Sequence, residues 1–161
     1  MAKKSDARRP CPCRSGAPYG ECCRPFHRGE EPPDPERLMR SRFSAFALGD
    51  GAYLRRTLHP AHPLRARDAD AVEAELGRAR QTMRYQDLTV HDARAEGDQG
   101  RVLFTARVFE KGRDRTFVEL SEFERVDGAW RYRDGLTVSR AALDEAPTTV
   151  EAFLERQGRA T

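Results

Sequence analysis

No cysteine follows position 23 in this chain of 161 residues. A disulfide framework spanning the molecule is thereby excluded, so the four cysteines that exist, Cys11, Cys13, Cys22 and Cys23, must serve one local purpose. No run approaches the roughly 18 apolar residues of a membrane span, so no membrane span is expected. The opening Met-Ala-Lys-Lys-Ser-Asp-Ala-Arg-Arg-Pro lacks an apolar h-region. Neither a signal peptide nor, despite Arg8-Arg9, a twin-arginine export signal is expected, and the expected localisation is cytoplasmic, where thiols stay reduced. The sequence also lacks a G-x-S-x-G elbow, a phosphate-binding loop and a dinucleotide fingerprint. It shows no internal repeat and no second metal cluster.

What remains is a polar chain of one-domain size. Charged residues make up 34%, hydrophobic ones 38%, and the mean hydropathy is −0.80. Eight Phe, four Tyr and one Trp supply core material. The net charge of +3 is unevenly placed, since residues 1–28 carry +5 and the rest −2. Binding a divalent ion by four thiolates would lower the charge of the tail by two, to about +3. The arginines therefore either offset the site's own charge and solvate the tail, or form a basic patch for RNA, a ribosome or an acidic protein surface.

The chain divides by composition. Residues 1–10 read as a disordered basic lead-in, 11–28 as a cysteine knuckle and 29–34 as a Pro-rich linker. A helix follows, with Asp34 as N-cap, Pro35 at N1, an apolar stripe of Leu38, Met39, Phe43, Phe46 and Ala47, and Gly49 as its stop. Residues 50–58 predict a second short helix, 60–66 a loop, and Asp68 or Asp70 caps a third helix. After Arg80 the period becomes two. Strands are expected around 83–90, 101–109, 116–125 and 130–133, with turns at 111–114 and at Asp127-Gly128. Helices followed by antiparallel strands make an α+β domain over 35–138. Residues 139–161 read as a polar, partly helical tail.

Four thiols spaced C-x-C-x₈-C-C suit a tetrahedral Zn²⁺, with Ser15, Gly16, Pro18 and Gly20 allowing the loop to fold back. His27, four residues beyond Cys23, is either an alternative ligand or a solvent-exposed side chain. The run Cys11, Cys13, Ser15, Gly16, Tyr19, Cys22, Cys23 resembles the SEC-C motif, known from the tail of the SecA translocation ATPase; Arg14 departs from it, standing where that motif usually has Gly. Leu38-Met39-Arg40-Ser41-Arg42-Phe43-Ser44-Ala45-Phe46, then Gly49-Asp50, Tyr53-Leu54 and His59-Pro60, resemble the YchJ-like family. So do Glu119-x-Ser121-x-Phe123 and Gly128-x-Trp130-x-Tyr132-x-Asp134-Gly135. The resemblance implies a structural zinc on Cys11, Cys13, Cys22 and Cys23, and a cone of the nuclear transport factor 2 (NTF2)-like fold, with helices on a curved sheet around a pocket.

In that cone, Glu119 alternates in phase with Phe117, Ser121 and Phe123, and a carboxylate on an apolar face needs a partner. Arg107 is the expected partner. Tyr132 and Asp134, in phase with Trp130, are expected beside it, with Arg40 or Arg42 at the rim. Glu119 is then either a general acid/base or one half of a structural ion pair. Two functions follow. The first is a non-enzymatic binding protein whose knuckle docks on a protein or ribosomal partner, and whose cone binds a small ligand or forms a homodimer through its sheet. The second is a small-molecule isomerase or dehydratase using a pocket carboxylate. Four protein thiolates leave the zinc no open position, so its role is structural in both. Nucleic-acid binding would rest on the basic tail alone, which lacks interleaved aromatics.

Overall fold

A computed structural model of the chain describes residues 4–158; the first three residues of the lead-in and the last three of the tail lie outside it. The elements run α1 (Lys4–Arg8), α2 (Arg24–His27), α3 (Pro35–Leu48), α4 (Gly51–Arg56), α5 (Ala69–Arg78), β1 (Met83–Glu96), β2 (Gln99–Glu110), β3 (Arg113–Asp114), β4 (Phe117–Val126), β5 (Ala129–Ser139) and α6 (Val150–Arg156). The strands form one antiparallel sheet of order β1-β2-β4-β5, with β3 hydrogen-bonded to the end of β2. The lead-in differs from the expected disorder: residues 4–8 are helical, and this turn packs against Gly20.

The long helix forms as its capping residues dictate. The Asp34 carboxylate accepts from Arg37 N–H at 2.8 Å, Pro35 occupies the first turn, and Gly49 closes the helix at φ +77°, where a side chain would be strained. Asp50 and Asp68 cap α4 and α5 in the same way. Alternation on β2 sends Val102, Phe104, Ala106 and Val108 toward α3, and Leu103 to the other face. β1 and β5 are bulged, at Tyr85/Asp87 and Val90/Asp92 and at Arg133, opposite Glu122/Phe123. Such insertions bend and twist strands, and they curve the sheet around α3.

Three clusters make up the interior. The first lies between α3 and the concave sheet face and includes Leu38, Met39, Phe43, Phe104, Phe123 and Trp130, together with Cys11, Cys13 and Cys23. The second lies on the outer sheet face, where Val150, Phe153 and Leu154 of α6 cover Leu103, Val118 and Leu120. The third joins α3 to α4 through Ala45, Tyr53 and Leu54. After α4 the chain runs along the free edge of β5. There His59 N–H donates to Tyr132 O at 2.7 Å, and Tyr132 N–H donates to Thr57 O at 2.8 Å. This pairing fixes the backbone from which Tyr132 projects.

Candidate functional site

The knuckle is a small folded unit. Cys11 N–H bonds Ala17 O, Arg14 N–H bonds Cys11 O, and Tyr19 N–H bonds Arg9 O, all at 2.8–3.0 Å. The four sulfur atoms lie within 4.8 Å of one another, with Cys13–Cys22 at 3.5 Å and Cys22–Cys23 at 3.9 Å. A tetrahedron with Zn–S bonds of about 2.3 Å has edges of about 3.8 Å, so the donor set and its spacing fit a zinc ion. Arg14 takes φ +63°. That is the left-handed region, which explains why glycine is usual at this place in the motif it resembles.

Helix α3 forms the floor of this unit. Ser44 Oγ lies 3.4 Å from Cys11 Sγ and donates to Cys23 Sγ at 3.3 Å, while Ser15 Oγ is 3.1 Å from Cys22 Sγ. Arg40 donates to Cys13 O at 3.1 Å and to Glu36 at 3.0 Å. It therefore serves the knuckle and is absent from the cone's rim. Hydrogen bonds with Cys11 and Cys23 pull the Cys13 thiol down, whereas hydrogen bonds with Cys11 and Cys13, together with burial, push Cys23 up, and burial raises Cys22 to about 11. A metal bound here would hold the four sulfurs as thiolates.

His27 is neither a ligand nor solvent-exposed. Its Nδ1 is 2.6 Å from Tyr19 Oη, its Nε2 is 2.8 Å from Ser41 O, and its ring meets Tyr53 edge-on at 4.6 Å. Ser41 in turn donates to Leu38 O and pairs with Tyr53 Oη at 2.6 Å. The linker is pinned as well. Glu31 receives two hydrogen bonds from Arg131, at 2.7 and 3.1 Å, and lies 3.9 Å from Arg56. The knuckle is thus docked on the domain and does not swing on a tether.

On the opposite side of α3 a cavity of about 320 Å³ opens between the helices and the sheet. Its wall is mostly apolar, with Phe43, Phe46, Phe104, Phe117 and Phe123 among its residues, and its polar corner holds Arg42, His62, Glu119, Ser121 and Tyr132. Glu119 accepts from Ser121 Oγ, from Thr137 Oγ1 at 2.9 Å and from Tyr132 Oη at 3.4 Å. Burial, reinforced by the Glu119 charge, holds the Tyr132 phenol well above its usual range. Burial also lowers His62, and its Nδ1 accepts from Leu64 N–H at 3.1 Å, as a neutral ring does. Larger hollows elsewhere, such as one of about 470 Å³ beside Arg94, Arg101, Glu122 and Glu151, are lined by charged side chains on the outer surface.

Two expected site residues fall elsewhere. The register pairs Phe104 with Glu119, so odd-numbered Arg107 points to the other face, where it is exposed and packs over the Phe109 ring. It cannot partner Glu119. Asp134 loses phase with Tyr132 because the bulge at Arg133 places it opposite Glu122. It is exposed and accepts from Gly135 N–H. Arg42 was expected at the rim but is 8% exposed, inside the molecule. Its Nη1 donates to Leu54 O at 2.7 Å and to Thr57 Oγ1 at 2.6 Å, and its guanidinium sits over the Tyr132 ring at 4.7 Å. Ser121 lies beside Glu119 as the alternation along β4 expects, whereas His62 and Thr137 are not part of the expected set. Thr137 was legible only through the pairing of β4 with β5, which places it opposite Glu119.

Comparison with known proteins agrees with this architecture. Residues 34–135 match the family described as YchJ, middle NTF2-like domain. A UPF0225 protein of Deinococcus radiodurans is 45% identical over 128 residues, which cover 78% of this chain and 88% of that one. The UPF0225 protein YchJ of Shigella dysenteriae is 38% identical over 140 residues, covering 85% and 89%. The solution structure of a SEC-C motif containing protein from Rhodopseudomonas palustris superposes with a TM-score of 0.69 at 32% identity, covering 81% of this chain and all of that one. With its SEC-C-type cysteine knuckle set on an NTF2-like cone, the chain belongs to the YchJ family.

Proposed function

We propose that this protein is a small-molecule-binding protein whose cone cavity is the binding site and whose knuckle holds a structural zinc. The observation that carries the reading is the cavity. An apolar chamber of about 320 Å³ with one convergent polar corner has the size and make-up of a ligand site rather than a packing defect. The knuckle supports it from behind: three of its four cysteines are buried against α3, and a four-thiolate ion has no position left for substrate. What the knuckle leaves for an outside protein or ribosomal partner is the exposed loop at Arg14, Ser15 and Gly16. A fragment screen by NMR on the zinc-loaded protein tests the assignment. Binders should shift resonances of Phe104, Glu119 and Tyr132, and hits confined to the outer surface would refute it.

A second reading, an isomerase or dehydratase with Glu119 as general acid/base, is favoured by the place of that carboxylate in the cavity wall. All three of its protein partners are hydroxyl donors, which leaves the carboxylate able to accept a proton from a ligand. It predicts a turnover that Glu119→Gln abolishes while binding persists; turnover surviving that substitution would remove it.

A further inference from the structure

We propose that the cone cavity takes a small organic carboxylate with an apolar body, seated through its carboxylate on Arg42. This deepens the reading of the cone as a small-molecule site and rests on it. Among the residues lining the cavity, Arg42 is the single arginine or lysine and Glu119 the single carboxylate. Arg42 is 8% exposed, yet it forms no ion pair with any described carboxylate, and the partners of its Nη1 are a backbone carbonyl and a hydroxyl, both neutral. An arginine has five N–H donors. Those on Nε and Nη2 have no hydrogen-bond partner among the described residues. The Glu119 charge acts on Arg42 only from beyond ion-pair distance; a buried cation without a contacting counter-ion is costly to maintain, and a guanidinium fork at a cavity wall suits a planar carboxylate.

The counter-charge within the protein is already committed. Glu119 is held on the sheet side by Ser121, Thr137 and Tyr132; its carboxylate meets the Tyr132 hydroxyl, whereas the Arg42 guanidinium lies over the face of that ring. Arg42 is therefore left for a ligand, and Glu119 disfavours a second negative charge in the same chamber. A monoanion fits that balance better than a phosphate ester. The aromatic wall on the other side supplies the surface for an apolar body.

Two matched pairs test this on the zinc-loaded full-length chain: phenylacetate against phenylacetamide, and octanoate against octanamide, each titrated by NMR at constant ionic strength. The expected result is that at least one acid shifts cavity resonances with about tenfold or greater preference over its amide, and that it shifts the Arg42 Nε–H signal. Arg42→Gln should lower the affinity for the acid to that of the amide and leave the amide unchanged. If Arg42→Gln fails to fold, the Nε–H signal of the unsubstituted protein decides. Amide binding equal to acid binding in the cavity overturns the carboxylate assignment while the small-molecule reading stands. If neither member of either pair moves any cavity resonance, both fall.

Discussion

Gly135 sits where a side chain does not fit. A Cβ there would lie 2.4 Å from Tyr132 Oη and 2.7 Å from Glu119 Oε2, so its hydrogen lets the carboxylate and the phenol share one corner. Gly135→Ala should displace the Glu119 carboxylate and cost about 1–3 kcal/mol, read as a lower urea midpoint; unchanged stability would show that the corner is looser than described. His27 makes a comparable demand near the knuckle. Its Nε2 faces a carbonyl and so carries the proton, leaving Nδ1 to accept from Tyr19 Oη. Burial lowers its pKa below 6.5. A histidine depressed in the folded state contributes stability in full above the unfolded value, about 6.5, and loses it as the pH falls below that value. Unfolding midpoints should drop between about pH 7.5 and about pH 5.5. His27→Gln should show a smaller drop, which separates this term from acid loss of metal; equal drops would remove His27 as the cause.

Among the elements, α3 carries the most. Ser41 and Ser44 face the knuckle, and Met39, Arg42, Phe43 and Phe46 face the cavity, so one helix is the shared wall of the cysteine cluster and the cavity. Removing the metal leaves buried thiols against that helix without the ion that gathers them. A chelator should lower Tm by roughly 10 °C, the scale of a structural site worth several kcal/mol, and it should broaden the resonances of Phe43 and Phe104 as well. Metal loss with cavity resonances unaltered would show that the two sites are uncoupled. Ser44→Ala, which removes a hydroxyl lying against two of the sulfurs, should weaken metal binding about 10- to 100-fold, measured by competition with a chromogenic chelator.

At the scale of the whole molecule, the outer sheet face is already covered. Val150, Phe153 and Leu154 seal Leu103, Val118 and Leu120, and Arg94 clamps Glu151 and Asp92 at 2.6–2.8 Å while Asp92 also accepts from Val150 N–H. A homodimer through that face would have to displace α6. The chain with α6 in place should therefore not dimerise through its sheet face in sedimentation. Truncation before residue 144 uncovers three large apolar side chains, a loss of several kcal/mol, and should yield dimers or aggregates. A stable dimer of the full chain through the sheet face would contradict this arrangement.

Much of this was written in local pattern. The caps at Asp34 and Gly49, the period-two run from Val102 to Phe109 and the grouping of four cysteines are short-range features, because capping, alternation and chelation by neighbours act over a few residues. The same holds for Glu119, whose odd position among Phe117, Ser121 and Phe123 marks it as inward-facing. Ser121 and Tyr132 were legible as its neighbours, but that Thr137 joins them while Arg107 and Asp134 do not depends on strand register and on one bulge. The pairing of Phe104 with Glu119 sends Arg107 outward, and the extra residue at Arg133 turns Asp134 away from the cavity. Nor could spacing tell that Arg40 serves the knuckle and Arg42 the cavity, since on a helix two positions apart means nearly opposite faces, and only docking decides what lies against each. The sequence by itself determined the main helices and strands and the grouping of four cysteines that could hold a metal; tertiary structure alone decided that the knuckle is built into the domain and which charges share its cavity, since those depend on contacts between segments far apart in the chain.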